Sequence, residues 1–213
     1  CGSGAGKPAP DELSTDEARA FIDAIARQGA LGLELSGGET YLREDWLEII
    51  RHARQAGLEC SMITAGRGMS VERARAAKDA GLQRAAVSLD GLEPMHDMLR
   101  GINGSFAKGV AAIAAFREAG IPVGCNTQLS AKNFRELPAL GDLLVTLGLY
   151  AWQIQIMIPM GRALEDETLL LQPYQLLELV PLVASVMTSC RARGLVTHAG
   201  DNIGYFGPHE HTL

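Results

Sequence analysis

Apolar residues follow two alternating patterns along the chain. In one, they recur every three or four residues, as Ala18, Phe21, Ile22 and Ile25 do, which is typical of one face of an α-helix. In the other, short segments are apolar or alternate with polar residues, as at 31–35, which indicates a strand. The pattern predicts helices at 15–28, 44–56, 70–80, 105–119, 133–147 and 173–193, and strands at 31–35, 58–64, 84–89, 121–129 and 150–158.

Strands that alternate with helices of this length indicate βαβ units, a parallel sheet and therefore an α/β fold. A helix precedes the first predicted strand, so we expect one further strand upstream. That strand would complete six βα units, fewer than a closed eight-unit barrel has. We predict a partial (β/α)6 TIM-like barrel whose first strand is missing from this chain, with a doubly wound sheet as the alternative. Both folds bind ligands at the carboxyl ends of their strands.

The first predicted strand runs into two adjacent glycines, Gly37 and Gly38, which are followed by Glu39. Glycines let a ligand approach the backbone closely, because they have no side chain. The Glu39 carboxylate could receive an ammonium group. The same three residues also occur in plain turns, so only their position at a strand end makes them a candidate site.

Polar residues recur near the carboxyl ends of the later strands. Residues two apart on a strand share a face, and the polar pairs are Ser88 with Asp90, Asn126 with Gln128, and Gln153 with Gln155. Polar residues are poor strand formers, and a buried polar group without a partner costs about 1–3 kcal/mol. A polar ligand inside the barrel would supply partners, and Ser88 with Asp90 could hold a diol such as a ribose. A water-filled barrel mouth without function is the alternative.

Composition limits the possible functions. The 213 residues carry a net charge of −6, which argues against general nucleic-acid binding. We find no stretch of about 20 consecutive apolar residues, so we expect no membrane span. The four cysteines lie far apart and form no C-x-x-C pair, which favours reduced thiols in a cytoplasmic protein.

The chain resembles the radical S-adenosylmethionine (SAM) superfamily, specifically the subgroup with a cysteine-rich C-terminal extension called SPASM. The resemblance rests on motifs in family order: Cys-Gly-Ser at 1–3, Leu-Ser-Gly-Gly-Glu at 35–39, Val-Ser-Leu-Asp-Gly at 87–91 followed by His96, Asp97 and Arg100, and Ile-Pro-Met-Gly-Arg at 158–162. We interpret His96 and Arg100 as residues that order a loop after the third strand. The domain boundaries expected from the resemblance are a barrel core at 1–195 and the start of a linker toward the extension at 196–213.

The resemblance implies a role for each candidate near the cluster end of the site. Cys1 would be the third thiolate ligand of a 4Fe-4S cluster, which iron–sulfur proteins bind through cysteine. Gly37 and Gly38 would contact the methionine part of SAM through their backbone. Glu39 would bind its ammonium group.

The remaining candidates would surround the nucleoside. By the same resemblance, Ser88 and Asp90 would contact the ribose or the carboxylate of SAM. Three amides would line the cavity and a methionine would border the adenine; they are Asn126, Gln128, Gln153 and Met160.

The activity implied by the resemblance is reductive cleavage of SAM at the cluster to a 5′-deoxyadenosyl radical. This radical would abstract hydrogen from a substrate, expected to be a ribosomal peptide or a protein side chain, with a flavodoxin- or ferredoxin-like reductant as partner. Two alternatives remain: a βα-barrel isomerase or aldolase for a phosphorylated metabolite, and a degenerate, non-catalytic peptide-binding domain.

Overall fold

The computed structural model describes residues 11–200, 203–204 and 206–213. Its sheet has six parallel strands: β1 Gly32–Leu35, β2 Glu59–Thr64, β3 Arg84–Ser88, β4 Val123–Leu129, β5 Ala151–Ile156 and β6 Val196–Ala199. The α-helices in this part are α1 Thr15–Arg27, α2 Trp46–Gln55, α3 Val71–Ala80, α4 Glu93–Arg100, α5 Ser105–Glu118, α6 Leu137–Thr146 and α7 Leu176–Ala192.

The strands lie in the sheet in chain order, β1 to β6. Each crossover therefore leads to the adjacent strand, always toward the same edge of the sheet. Right-handed crossovers in one direction place all the helices on one face. A doubly wound sheet reverses direction partway through the chain, so this alternative is wrong. Within the described residues β1 pairs with β2 and β6 pairs with β5, without closure. The predicted α/β fold with an open, TIM-like parallel barrel is confirmed.

Alternation along the strands divides the sheet into two faces. On β3, Ala85 and Val87 are buried against the helices, whereas Ala86 and Ser88 are half-buried on the opposite face. The helix side forms the hydrophobic core, in which the indole of Trp152 is completely buried. The other side is the concave face, and the polar candidates lie there.

Two elements differ from the sequence prediction. Val196–Ala199, which lies in the segment assigned to the linker, is strand β6 and pairs with β5. It has only 4 residues, too few for a clear alternation. Glu93–Arg100, interpreted as a loop, is helix α4, with Pro94 in its first turn and Gly101 after its end. These are ordinary helix start and stop signals, so α4 could have been found from the sequence.

Residues 167–192 are long and apolar enough to cross a membrane by length and composition alone. In the structure this stretch includes helix α7, and Leu179, Val183 and Met187 on its inner face are completely buried in the core. Its apolar residues therefore contribute to the packing of α7 against the fold.

Candidate functional site

A cavity of about 930 Å³ opens at the carboxyl ends of β3, β4 and β5. Helix α4 borders it on one side, and residues 157–169, which follow β5, border it on the other. The structure brings together in its lining five of the predicted site residues: Ser88, Asp90, Gln128, Gln153 and Met160.

Strand register aligns polar residues across the concave face. Ser88 on β3 is opposite Asn126 on β4, and Asn126 is opposite Gln153 on β5. The row continues to His198 on β6, opposite Gln153. We missed His198 as a member of this row because we had not predicted β6. One level closer to the carboxyl ends, Gln128 Nε2 donates to Gln155 Oε1 at 2.6 Å. The floor thus presents hydroxyl and amide groups from adjacent strands.

Asp90 is buried, with 5% of its surface exposed. One carboxylate oxygen, Oδ1, accepts the backbone N–H of Gln128 at 3.0 Å, and Oδ2 lies 2.7 Å from Nη2 of Arg100. This carboxylate therefore holds Arg100 at the cavity wall and connects the ends of β3 and β4. The sequence suggested a diol ligand for Asp90 but gave no sign of this ion pair.

The cavity also contains charged residues outside the predicted set. Lys132 follows β4, and its Nζ lies 3.1 Å from Oδ2 of Asp166 on the opposite border. Glu165 also lines the cavity. These side chains come from loops with no strand pattern, so neither periodicity nor spacing indicated them.

His96 supports the end of β3 from helix α4. The backbone N–H of Asp90 donates to its Nδ1 at 3.0 Å, so this ring nitrogen must be unprotonated. Desolvation by burial lowers the pKa of His96, and this effect exceeds that of the nearby Asp90 charge, which raises it.

Acidification should therefore destabilise the protein through His96. The unfolded chain takes up a proton near the usual pKa of 6.5, whereas the folded chain does so only at a lower pH. The free energy of unfolding should thus fall as the pH decreases below about 6.5. Denaturant titrations from neutral pH to about pH 5 should show a smaller decrease in His96→Gln than in wild type. Identical pH slopes would contradict this assignment.

Gly37, Gly38 and Glu39 lie at the carboxyl end of β1, outside the lining of the cavity. Gly37 has φ +117°, and within the described residues a Cβ at this position would meet nothing within 4 Å. Glu39 Oε2 accepts a hydrogen bond from the hydroxyl of Thr64, the last residue of β2. β1 is two strand spacings from β3, about 10 Å, a distance that a nucleoside joined to an amino acid can span.

The profile of the radical SAM superfamily matches residues 1–130, which is more than half of the chain. This chain belongs to the radical SAM superfamily. The resemblance to this superfamily is thereby confirmed, and the SPASM subgroup stays a prediction.

Several relatives of this radical SAM chain have names that describe different reactions. The AdoMet-dependent heme synthase of Methanosarcina barkeri is 38% identical over 157 residues, covering 73% of this chain and 45% of that protein. The PqqA peptide cyclase of Ruegeria pomeroyi is 38% identical over 139 residues, covering 64% of this chain and 37% of that protein. This chain spans less than half the length of these curated relatives.

Solved structures show the same fold. SuiB from Streptococcus suis, crystallised with S-adenosylmethionine, matches with a TM-score of 0.74 at 15% identity, over 94% of this chain and 47% of SuiB. At this identity the likeness supports the open barrel and no particular residue role.

Radical SAM proteins use S-adenosylmethionine and a 4Fe-4S cluster, and the carboxyl edge of the sheet has groups that fit the sulfonium nucleoside. Glu39 provides a carboxylate at β1, while Ser88 and Gln153 provide polar groups on the later strands. The apolar side chains of Met157 and Met160 lie at the border of the cavity. The buried hydroxyl of Thr40, next to Glu39, has no hydrogen-bond partner within the part of the chain that the structure describes.

The radical SAM cluster cannot be held by the cysteines that the structure describes. Cys60, Cys125 and Cys190 are buried, and desolvation raises the pKa of Cys60 to about 11 and that of Cys125 to about 12. Thiolates, not thiols, bind metals. Within the described ranges no three metal-ligating side chains form a group. Cys1 lies outside the described residues, and its role as a ligand stays a prediction.

The loop after β2 packs tightly against helix α5 at Gly66. This residue has φ +81°, and an added Cβ would lie 2.7 Å from Cβ of Ala112 and 3.1 Å from Cα of Gly109. We therefore expect Gly66→Ala to lower the free energy of unfolding by about 2–4 kcal/mol, from backbone strain plus overpacking.

Gly57→Ala is the matched control, measured by the same denaturant unfolding. Gly57 has φ +84°, but a Cβ there meets no described atom within 4 Å. It should cost only the backbone strain, about 1 kcal/mol. Equal losses in the two variants would show that the contact between the loop and α5 is unimportant.

Proposed function

We propose that this chain is the SAM-binding core of a radical enzyme that modifies a peptide or protein side chain. The observation that supports this most is the row of polar side chains on the concave face, in a chain of the radical SAM superfamily. When bound, SAM and a reduced 4Fe-4S cluster supply a carbon-centred radical that abstracts hydrogen from the substrate. The barrel positions these groups and excludes water.

Each candidate residue at the carboxyl edge of the sheet has a role in this proposal. Glu39 binds the ammonium of SAM, and the backbone of Gly37 and Gly38 contacts its methionine part. Ser88, Asp90, Asn126, Gln128 and Gln153 form the polar surroundings of the nucleoside, where Asp90 acts mainly by holding Arg100. Met160 borders the adenine.

The two ends of the chain and a partner protein complete the proposal. Cys1 is a thiolate ligand of the cluster. The segment 196–213, although it begins with β6, leads toward a SPASM-type extension. A flavodoxin- or ferredoxin-like protein delivers the electron in the cytoplasm. Neither nucleic acid nor a membrane is a partner.

A tetrapyrrole is the second candidate substrate. The heme synthase relatives match a larger share of this chain than the peptide cyclase relatives do. The peptide is favoured by the PqqA peptide cyclases among the relatives. Membership of the radical SAM superfamily disfavours the sugar-phosphate isomerase or aldolase, which needs neither SAM nor a cluster.

The test is formation of 5′-deoxyadenosine by the full-length protein after anaerobic cluster reconstitution, with dithionite and SAM. Cys1→Ala should lose the product together with the part of the iron–sulfur absorbance that belongs to the SAM-binding cluster. Deuterated peptide and porphyrin substrates then distinguish the two classes, because the true substrate transfers deuterium to 5′-deoxyadenosine. Absence of product from a protein with a verified cluster would refute the proposal and favour the non-catalytic domain.

A further inference from the structure

A buried hydroxyl lies directly behind the Glu39 carboxylate. Thr64, at the end of β2, is 3% exposed, and its Oγ1 contacts Oε2 of Glu39. The backbone N–H of Gly66 donates to the same Oγ1 at 2.8 Å. The Tyr41 hydroxyl lies 3.3 Å from it and donates to the carbonyl of Arg67 at 2.7 Å. Strand β2 and its following loop thus converge on the candidate ammonium site.

The chemistry of the partners determines the direction of these hydrogen bonds. A backbone N–H can only donate and an ionised carboxylate can only accept. Thr64 therefore accepts from Gly66 and donates its single proton to Glu39. Hydrogen bonds linked in this way polarise and strengthen one another.

The loop that contains these groups is fixed by packing. Gly66 lies against helix α5, where even a methyl group would overlap Ala112. The guanidinium of Arg73 lies over the Tyr41 ring, 5.4 Å from its centroid. The hydroxyl of Thr64 is consequently held in place from two sides.

We propose that Thr64 is a positioning residue for Glu39. It holds Oε2, so that Oε1 is directed toward the ammonium group of SAM. This inference rests on the proposed function, in which Glu39 is the ammonium ligand. The sequence showed Thr-Ala-Gly at 64–66 without indicating any contact with Glu39, which is 25 residues earlier.

The test is the dissociation constant of SAM, measured by calorimetry on the full-length, anaerobically reconstituted protein. Thr64→Val keeps the shape of the side chain and removes the hydroxyl, so the dissociation constant should rise about tenfold, as expected for one hydrogen bond to a charged group. Thr64→Ser keeps the hydroxyl and should stay within about threefold of wild type. Thr64→Ala provides the same comparison if the valine variant does not fold.

Thr127→Val is the matched control. Thr127 is another buried strand threonine, and the strand register places it on the same, helix-facing side of the sheet as Thr64. Its hydroxyl contacts Trp152 and the carbonyl of Leu89, not a candidate SAM ligand. Its loss should lower stability and leave the dissociation constant unchanged.

An analogue of SAM without the α-amino group separates positioning from structural damage. Because this analogue cannot use Glu39, wild type and Thr64→Val should bind it equally. If Thr64→Val lost affinity equally for SAM and for the analogue, the inference would be overturned. It would also be overturned if Thr64→Val bound SAM like wild type while Glu39→Gln bound it weakly. If Glu39→Gln also binds SAM normally, the proposed role of Glu39 itself is wrong.

Discussion

Replacing Glu39 with glutamine should weaken SAM binding by about two to three orders of magnitude. Removing one member of a desolvated, hydrogen-bonded charge pair typically costs about 2–5 kcal/mol, and the ammonium would face a neutral amide. The amide oxygen of glutamine can still accept the Thr64 hydroxyl, so the fold around the residue should persist. The dissociation constant of SAM and the yield of 5′-deoxyadenosine measure the two consequences.

Glu118→Gln is the control for this variant. Glu118 is an exposed acid on α5 that pairs with Arg75 at 2.9 Å, and exposed pairs contribute little. Its variant should bind SAM like wild type. Normal affinity in Glu39→Gln would remove Glu39 from the site.

Replacing Asn133 with alanine should lower the free energy of unfolding by about 3–5 kcal/mol, among the largest effects of a single substitution. Asn133 is 2% exposed. Its Oδ1 accepts from the backbone N–H and the hydroxyl of Ser130, at 2.6 and 2.9 Å. Its Nδ2 donates to the carbonyls of Asp90 and Gln128, at 2.5 and 2.8 Å. Truncation to alanine removes the amide, so the Ser130 N–H and hydroxyl and the two carbonyls lose the hydrogen bonds that it makes.

Because Asn133 connects the ends of β3 and β4, its loss should also weaken SAM binding. Denaturant unfolding and calorimetry check both expectations. Asn103→Ala, at an exposed turn position between α4 and α5, should change stability by less than about 0.5 kcal/mol. Similar stability of the two variants would contradict the importance attributed to this hydrogen-bond network.

The sequence predicted β1 to β5 because parallel strands buried against helices contain continuous or alternating apolar residues. The helical spacing of apolar residues was equally informative: helix α1 was expected at 15–28 and spans Thr15–Arg27. Strand β6 was missed because 4 residues contain little periodicity. Helix α4 was missed although Pro94 and Gly101 mark its start and end, because the segment was interpreted as a loop. Strand β6 depends on its pairing with β5, which no local pattern reports.

The candidate site was predictable to the extent that strand alternation determines it. Ser88 and Gln153 lie on the concave face because side chains on a strand alternate between its faces. The pairing of Asp90 with Arg100 and the contact of Thr64 with Glu39 were not predictable. Both depend on side-chain conformations and on loops brought together by the fold, so only coordinates could show them.

The central claim is that SAM binds across the concave face, from the end of β1 to the ends of β3 to β5. The most direct test is a crystal structure of the full-length, anaerobically reconstituted protein with SAM. We predict that the ammonium group contacts the Glu39 carboxylate and that the nucleoside lies over Ser88 and Gln153, bordered by Met160. A nucleoside bound anywhere other than this face would contradict the account.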